Sequence, residues 1–391
     1  MVKKITLFMP PYSQYNVLHH FTKQLGSALE RNGVECHILE AKYNNPKPFL
    51  EELFKEKPDA TFSFNGLMPD EKGNFFSDMI KIPHVAALVD SPNRYLPLIN
   101  SKYTIISCAD RFGCDFFKGI NFPKTFFLPH AVGRDEKHPA EAQRPIDVLV
   151  LATCMEYEDL LQSWKKKYPP AICAAMQEAI DASLNDNHTT YVQAFVSSID
   201  KQLANGAPIK PEHLDYPQIF DDLESYLRAK DRIETIRNIH DVQIHIYGDG
   251  VGSNWKSTLS GKKNVTLHSS ADFTKALDLM KQAKIIINSN PHFKNGAHER
   301  IFYGLNLGAL VITNDNTYLR EIFEPNKSIV LSQFGQWQEL NDNIKHFLSN
   351  EKERQNIVHN AQSIIQKNHT WDNNAQILIK ELPTLLSQVQ G

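Results

Sequence analysis

The chain is poor in the features that mark disulfide-linked, zinc-binding or membrane-spanning proteins. Its 391 residues include only five cysteines, which are scattered and form no CxxC pair. The sequence therefore predicts neither a zinc cage nor a disulfide framework. We expect buried thiols in a reducing compartment. No stretch approaches the ~18 consecutive apolar residues of a membrane span. The cysteines are Cys36, Cys108, Cys114, Cys154 and Cys173.

The chain also has no large excess of either positive or negative charge. The net charge is -3, with 41% hydrophobic and 22% charged residues, which is typical of a soluble globular protein. This balance gives no electrostatic reason to expect nucleic-acid binding. The apolar run ITLFM (5–9) soon meets two prolines and is too short for a signal peptide. We therefore expect a cytoplasmic protein with no membrane span.

The length and the order of the apolar runs predict two α/β domains. Strand-like runs without clean alternation are separated by helix-like segments, which indicates parallel sheets covered on both faces. The segment RDEKHPAEAQRP (134–145) is charged and contains proline, so a domain boundary near residue 140 follows. A second series opens with IDVLVLAT (146–153) and resumes with VQIHIYGDG (242–250) after a helical insertion.

These boundaries define the predicted organisation. Residues 1–140 form one Rossmann-like domain, and residues 141–370 form a second, with the helical insertion at about 155–240. Residues 371–391 form a C-terminal helix, which we expect to pack back on the N-terminal domain. Ligands of such sheets bind at the carboxyl ends of the strands, so two facing domains would make a cleft.

The stretch KNGAHERIFYGLNLG (294–308) is the strongest candidate for an anion site. We expect Asn295 to cap a helix that runs from Ala297 to Leu307, and unpaired amides at a helix start attract anions. Arg300 is unfavourable in the first turn unless an anion is nearby. The alternative is a polar first turn in which Glu299 stabilises the helix dipole.

Six pieces occur in this order along the chain: DATFSFNG (59–66), PHVAALVDSPNRY (83–95), FFLPHAV (126–132), IHIYGDG (244–250), NGAHERIFYGLNLGALVITND (295–315) and NHTW (368–371). With these pieces, the layout resembles that of the GT-B glycosyltransferases, and the pieces resemble the CgeB-like group in particular. The resemblance covers most of the chain apart from the insertion.

The resemblance implies a retaining, metal-independent hexosyltransferase that uses a nucleotide-sugar such as a UDP- or GDP-sugar as donor. It places the donor mainly on the second domain and an acceptor, a protein, a glycan or a small molecule, on the first. In such enzymes the helix starting near Gly296 and Ala297 faces a diphosphate, and Arg300 adds a charge-assisted contact. One position departs from the pattern: Tyr303 stands where many retaining enzymes carry a ribose-binding Glu. Either Glu299 takes that role or the donor is held differently.

Other donor-side candidates follow the next strands. Gly248, Asp249 and Gly250 form a Gly-x-Gly turn, which in the resemblance lies near the donor phosphates, with Lys256 in reach. A simple tight turn explains the same residues equally well. In the resemblance the main chain around His268 packs on the nucleobase. The full set of donor-binding candidates is Gly248, Asp249, Gly250, Lys256, His268, Asn295, Gly296, Ala297, His298, Glu299 and Arg300.

Asp90 and His130 are the catalytic candidates of the first domain, and Glu299 is that of the second. Asp90 ends a strand and either accepts a proton from an acceptor hydroxyl, which would suit inversion, or caps the helix that begins near Pro92. His130 follows the last strand of the domain and either contacts a sugar or phosphate or is structural. His19 and His20 have no partner at metal spacing, so no metal site is expected.

Three interpretations remain open. The chain is either an active glycosyltransferase or a GT-B-like binding protein that has lost catalysis and uses the insertion to dock a partner. A nucleotide-sugar epimerase or hydrolase on the same fold is a third alternative, because a fold does not fix a reaction.

Overall fold

The computed structural model describes residues 2–40, 46–250 and 253–390. The chain divides into two compact units, residues 1–136 with 365–391 and residues 137–364. Each unit contains one six-stranded sheet whose strands pair in parallel throughout. The predicted α/β architecture with two Rossmann-like sheets is thus confirmed.

The sheet of the first unit has the order β2-β1-β3-β4-β5-β6. Its central strands are buried along their whole length, as expected for a sheet that helices cover on both faces. The strands are β1 (Lys4–Met9), β2 (Glu35–Glu40), β3 (Ala60–Phe64), β4 (His84–Leu88), β5 (Thr104–Cys108) and β6 (Thr125–Phe127). The helices are α1 (Val17–Arg31), α2 (Lys47–Glu56), α3 (Phe76–Ile80) and α4 (Arg111–Gly119), with 3₁₀ segments at Gln14–Asn16 and Pro92–Asn100.

The end of the chain completes the first unit. Helix α15 (Trp371–Gln390) packs against α1. Trp371 is 1% exposed, and its ring lies 5.1 Å from that of Phe21. Arg31 and Asp372 form a bidentate ion pair with distances of 2.8 and 2.7 Å. The terminal helix is therefore held to this unit by both apolar and charged contacts.

The sheet of the second unit has the order β12-β11-β10-β7-β8-β9. Its strands are β7 (Ile146–Leu151), β8 (Ile244–Asp249), β9 (Val265–Ser269), β10 (Ala283–Asn288), β11 (Leu310–Asn314) and β12 (Val330–Ser332). Between β7 and β8 lies the predicted helical insertion, made of α5 (Tyr157–Lys167), α6 (Pro170–Asn185), α7 (Tyr191–Ala204) and α8 (Tyr216–Arg237), with a 3₁₀ turn at Pro211–His213. The remaining helices are α9 (Trp255–Thr258), α10 (Phe273–Gln282), α11 (Glu299–Asn306), α12 (Thr317–Ile322), α13 (Trp337–Ser349) and α14 (Glu351–Asn368).

Arg144 joins the start of this unit to the ends of two helices. Its guanidinium donates to five main-chain carbonyl oxygens at 2.8 to 3.2 Å, those of Met280, Lys281, Ala283, Pro139 and Leu307. A fixed cation at these carbonyls satisfies acceptors that the ends of α10 and α11 leave open. The site described below is therefore built on anchored helices.

Candidate functional site

In the second sheet, the order in which successive strands are added reverses between β7 and β10. From β7 the chain continues to β8 and β9 on one side, while β10, β11 and β12 extend the sheet on the other. A parallel sheet opens a crevice at the carboxyl ends of its strands where the order reverses. Here that crevice contains a cavity of about 10 Å³, which is room for about one water molecule. Polar lining comes from Asn288, Ser289, Arg232 and Arg300.

Arg232, on helix α8, is a cation in the lining of this crevice. Its Nη1 donates to the main-chain oxygen of Thr153 at 2.7 Å, while its buried Nε has no hydrogen-bond partner among the described residues. Burial first, and then the neighbouring Arg228 and Arg300, lower the pKa of Arg232 to about 9. A buried guanidinium with other cations nearby is a site where an anion would stabilise the charged form.

Arg228 has its own counter-charge. It lies one turn before Arg232 and pairs with Glu224 at 3.0 Å. Glu224 is 1% exposed, and the Nε2 of His292 lies 3.9 Å from the same carboxylate oxygen. This pairing fixes the helix face that presents Arg232. Loss of Arg228 would be costly, because the buried carboxylate of Glu224 would lose this counter-charge.

Helix α11 begins later than the sequence predicts. It runs from Glu299 to Asn306, and His298 rather than Asn295 is its N-cap. The expected start at Ala297 and cap at Asn295 are therefore wrong. The reason lies in Asn316, whose Nδ2 donates to the main-chain oxygens of Phe293 and Gly296 at 3.0 Å each. These bonds hold residues 293–297 as a loop; Ala297 within it is 1% exposed.

The first turn of α11 gathers three ionisable side chains. The Oε2 of Glu299 lies 2.8 Å from the Nδ1 of His298, and its Oε1 lies 3.8 Å from the Nε of Arg300. The main-chain N–H of Arg300 also points to Nδ1 of His298 at 3.3 Å. Nδ1 accepts from the N–H of Arg300 when it carries no proton and donates to Glu299 when it carries one, so the two contacts belong to different states of the ring. Glu299 thus stands between two cationic or donor groups beside the crevice.

Tyr303 is turned into the core. It is 0% exposed, and its ring packs edge-on against that of Phe273 at 5.4 Å. A side chain in that position cannot take the place of an acid that reaches a ribose. Glu299 is the acid of α11 that lies next to the crevice.

Gly248, near the end of β8, is required because β8 closely approaches the loop after β7 there. It has φ 151°, and a Cβ there would overlap the main-chain oxygen of Ala152. Trp255 donates from Nε1 to the same oxygen at 2.7 Å, so the loop after β8 is tied to the loop after β7. Asp249 is partly exposed at the end of β8, and Lys256 is exposed on the short α9. Gly252, in the segment between them, lies outside the described residues.

Gly250 differs from Gly248 in its surroundings. Its φ is 150°, yet within the described residues a Cβ there would meet only Ser270 Oγ, at 3.8 Å. Its conformation favours glycine, but no described atom would overlap an added Cβ. In the Gly-x-Gly segment it is therefore the first glycine, Gly248, that lies close to the main chain of Ala152.

His268 stacks on protein rings. It lies face to face with Tyr247 at 4.2 Å and 9°, and its Nε2 lies 3.0 Å from the Nδ1 of His245. Burial and then His245 lower the pKa of His268. The structure therefore places the ring of His268 against Tyr247, while its predicted role beside a nucleobase stays a prediction.

The two catalytic candidates of the first unit, Asp90 and His130, have different surroundings. Asp90 is exposed, and Asn65 Nδ2 donates to its Oδ2 at 2.8 Å. The 3₁₀ segment that follows has Ser91 as its N-cap, so the capping alternative for Asp90 is wrong. His130 is 4% exposed, with its ring 5.7 Å from that of Phe21. These surroundings favour a structural role for His130.

Arg228 and Arg232 are the residues that the sequence reasoning missed. Their spacing of four residues places them on one face of α8 together with Glu224. A charged i, i+4 pair on a helix is usually a solvated surface feature. The signal that distinguishes this helix is its burial, since Glu224 and Asp231 are each 1% exposed.

Two general features of the described residues bear on the site. No three His, Cys, Asp or Glu side chains within them come together as a possible metal site. In the same part of the chain, none of the helices has both the length and the apolar character needed to cross a bilayer.

Sequence comparison gives one family match. Residues 228–380 match the model of a family described as glycosyl transferase-like. The match begins at Arg228 and includes Arg232 and Arg300. None of the curated proteins is similar to the chain at a significant level.

Solved structures give a wider match. Sucrose-phosphate synthase from Thermosynechococcus elongatus is 10% identical with a TM-score of 0.57, covering 98% of this chain and 99% of its own. HepE from Anabaena, in complex with UDP and glucose, is 11% identical with a TM-score of 0.54, covering 98% and 100%. A glycosyltransferase from Rickettsia africae is 12% identical with a TM-score of 0.52, covering 98% and 99%. At such identities the likeness concerns the fold.

The comparisons agree with the predicted fold class, and the narrower likeness to the CgeB-like group stays a prediction. The two parallel six-stranded sheets and the matched segment together identify the chain as a protein of the GT-B glycosyltransferase fold.

Proposed function

We propose that the protein is a glycosyltransferase that takes its sugar from a nucleotide-sugar. The observation that carries the proposal is the crevice between β7 and β10, where Arg232 and Arg300 line one small cavity. The leaving group of such a transfer is a nucleoside diphosphate, and neutralising its charge is the main catalytic requirement. A shielded pair of guanidinium groups at the switch point meets that requirement.

The donor in this proposal is a UDP- or GDP-sugar, which is a substrate and not a resident cofactor. Support comes from the fold match to HepE, a protein whose structure contains UDP and glucose. The proposal further includes transfer in the cytoplasm to a protein, glycan or small-molecule acceptor, without a metal ion. In this proposal the arginine side chains take the place of a metal cation, because their planar N–H donors match phosphate oxygens.

Glu299 and Asp90 have different roles in this proposal. Glu299 orients Arg300 and His298 beside the diphosphate, as its contacts of 3.8 and 2.8 Å allow. Asp90 is the acceptor-side carboxylate that Asn65 orients. We propose retention of the anomeric configuration on the basis of the resemblance; Asp90 acting as a base would instead give inversion. The anomeric coupling constant of the product, measured by NMR, separates the two.

The test is nucleotide binding and donor turnover in matched arginine variants. Isothermal titration with UDP and GDP, followed by hydrolysis of their sugars, is compared for wild type, Arg300→Ala and the control Arg237→Ala. Arg237 lies on α8 and pairs with Glu234 at 3.1 Å, away from the lining of the crevice. We expect Arg300→Ala to weaken binding about 10- to 100-fold, as loss of a charged hydrogen bond would. Equal binding in all three proteins would contradict the proposal.

A second candidate function is a binding protein without catalysis. It is favoured by Tyr303, which fills the core at the position of a ribose-binding acid. Such a protein would bind the nucleotide and leave the donor intact. Binding of UDP or GDP without measurable hydrolysis or transfer is the outcome that distinguishes this candidate.

A further inference from the structure

Asp231, on α8, links the arginine crevice to a second cavity. It lines a cavity of about 190 Å³ beyond the ends of β10 and β11, which is large enough to admit water. Its Oδ2 also accepts from the Oγ of Ser289 at 2.6 Å. Ser289 in turn lines the crevice together with Arg232 and Arg300. The buried carboxylate is therefore separated from the crevice by one hydroxyl group.

The hydrogen bonds of Asp231 distinguish its two oxygens. The main-chain N–H of Asn290 donates to the Oδ1 of Asn314, so the amide group of Asn314 turns its Nδ2 towards Asp231. That Nδ2 donates to the Oδ1 of Asp231 at 2.9 Å. At Oδ2 the partner is the hydroxyl group of Ser289, which can either donate or accept. Oδ2 is therefore the oxygen at which an added proton finds an acceptor.

Burial favours the protonated form of Asp231. The residue is 1% exposed, and burial raises the pKa of Asp231 above its ordinary value. The hydrogen bonds from Ser289 and Asn314, and then the charges of Lys294 and Arg232, act on this pKa in the opposite direction. A bound diphosphate would add negative charge beside Ser289, and a like charge raises the pKa of a carboxyl group further. Anion binding and proton uptake at Asp231 should therefore favour each other.

The other two acids of the second cavity are held in their charged forms. Asp315 forms two contacts with the guanidinium of Arg320, at 2.7 and 2.6 Å. A hydrogen bond from the Thr189 hydroxyl is the main cause that lowers the pKa of Asp186. Both hydrogen-bond donors of Asp231 are neutral groups. Asp231 is therefore the acid of this lining that is suited to take up a proton.

We propose that Asp231 is a positioning residue that takes up a proton from solvent when a diphosphate enters the crevice. The proton binds Oδ2, which then donates to the Oγ of Ser289, and the hydroxyl proton of Ser289 turns to a phosphate oxygen. One solvent proton is bound and one hydrogen bond reverses, while no covalent bond of the nucleotide changes. The inference rests on the proposed function, because it needs a diphosphate in this crevice.

Asp231→Asn separates this role from a purely structural one. The amide has nearly the shape of the carboxyl group, can accept from Asn314 with its oxygen, and donates to Ser289 as the protonated acid would. We expect this variant to bind UDP at least as tightly as wild type between pH 5.0 and 7.0, without the proton uptake at this site. A carboxylate that served only to hold the loops together would weaken UDP binding when replaced and would leave the number of protons unchanged.

Isothermal titration calorimetry with UDP on the full chain counts the protons. Titrations at pH 5.0, 6.0 and 7.0, each in two buffers of different ionisation enthalpy, give the number of protons bound per UDP. The proteins are wild type, Asp231→Asn, Ser289→Ala and the control Asp278→Asn. Asp278 is exposed on α10 and lines neither cavity. We expect wild type and the control to bind at least about 0.3 proton more per UDP than Asp231→Asn at one or more of these pH values.

The comparison between proteins removes protonation changes at other groups. His298 and Glu299 lie beside the crevice, and the terminal phosphate of UDP itself ionises at about pH 6. These contributions are shared by wild type and Asp231→Asn. Ser289→Ala leaves the buried charge in place but has no hydroxyl group to turn, so its affinity for UDP at pH 6.0 should fall about fivefold.

The outcomes separate this inference from the proposed function. UDP binding with the same proton uptake in wild type and Asp231→Asn at all three pH values would overturn the inference alone. Undiminished affinity of Ser289→Ala would also overturn it and leave the nucleotide site standing. If UDP binds neither to wild type nor to any variant, the inference and the proposed function are both wrong.

Discussion

Arg232 and Arg300 line the same notch between β7 and β10, and each belongs to a different structural segment of the second unit. Arg232 belongs to the last helix of the insertion, and Arg300 to the first turn of α11. Burial is the main cause of the lowered pKa of Arg232, and the charges of Arg228 and Arg300 add to it. The insertion therefore contributes to the candidate donor site as well as covering the sheet.

The pH dependence of nucleotide binding provides one test of this pairing. Without a ligand, the pKa of Arg232 lies at about 9. A bound diphosphate would raise it, because an anion favours the charged form. Affinity for UDP is then full below pH 9 and falls as the pH rises above that value, since binding must then take up a proton. Isothermal titration between pH 7.5 and 10 measures this fall.

The control for that test is Arg232→Gln. This variant keeps hydrogen-bonding capacity but has no titrating group, so its weaker affinity for UDP should stay constant over the same pH range. A fall of equal slope in the variant would assign the pH dependence to another group.

Gly248 and Gly250 form a matched pair for testing the loop after β8. Both have φ near 150°, but only at Gly248 would a Cβ overlap the main-chain oxygen of Ala152. We expect Gly248→Ala to lower UDP affinity about tenfold or more and to destabilise the second unit, because the two loops must separate. Gly250→Ala carries the backbone strain alone, about 1 kcal/mol.

Titration calorimetry and thermal unfolding of the two glycine variants measure these effects. Equal losses in both variants would mean that φ, and not the contact with Ala152, determines the requirement for glycine.

The sheets could be predicted from the sequence, whereas the site could be predicted only in part. Buried strands such as AKIIIN have a local signature, since parallel strands that are covered on both faces lack alternation. The cap of α11 has no such signature. It depends on Asn316, which follows β11 and holds Gly296 by a hydrogen bond across the loop. Arg232 was missed for the same reason, because its partners Thr153 and Arg300 become neighbours only after folding.

Gly308 and Arg144 provide a test of how the second unit is held together. Gly308 has φ 90°, and a Cβ there would overlap the Nη2 of Arg144. We expect Gly308→Ala to cost about 2–4 kcal/mol in the free energy of unfolding, since charged hydrogen bonds are displaced and the backbone is strained. Urea denaturation provides the measurement.

Gly335→Ala is the matched control for this prediction. Gly335 has φ 86°, and no atom of the described part of the chain lies within 4 Å of a Cβ at that position. Its cost should stay near 1 kcal/mol, from backbone strain alone. Equal costs at both positions would show that the displacement of Arg144 contributes nothing.

The burial of His84 leads us to expect a loss of stability in acid. It is 2% exposed, with Nδ1 2.9 Å from Thr61 Oγ1 and Nε2 2.9 Å from Ser63 Oγ. Burial lowers its pKa from 6.5 to about 3. Below pH 6.5 the unfolded chain binds the proton and the folded chain does not, so stability falls as the pH falls towards 3. The loss from this residue is about 2 kcal/mol between pH 6.5 and 5.

Urea denaturation at several pH values measures this slope. His84→Gln should reduce the slope of the unfolding free energy against pH by the amount that uptake of one proton on unfolding contributes. The contribution of His369, whose pKa burial lowers to about 4, should remain. The control His213→Gln replaces an exposed residue and should leave the slope unchanged. An unchanged slope in His84→Gln would contradict the assignment.

The most direct test of the account is a crystal structure of the protein soaked with UDP. The account predicts the diphosphate in the crevice between β7 and β10, with its oxygens within hydrogen-bond distance of the guanidinium groups of Arg232 and Arg300. A diphosphate bound elsewhere, with those two side chains keeping only their present protein contacts, would contradict it.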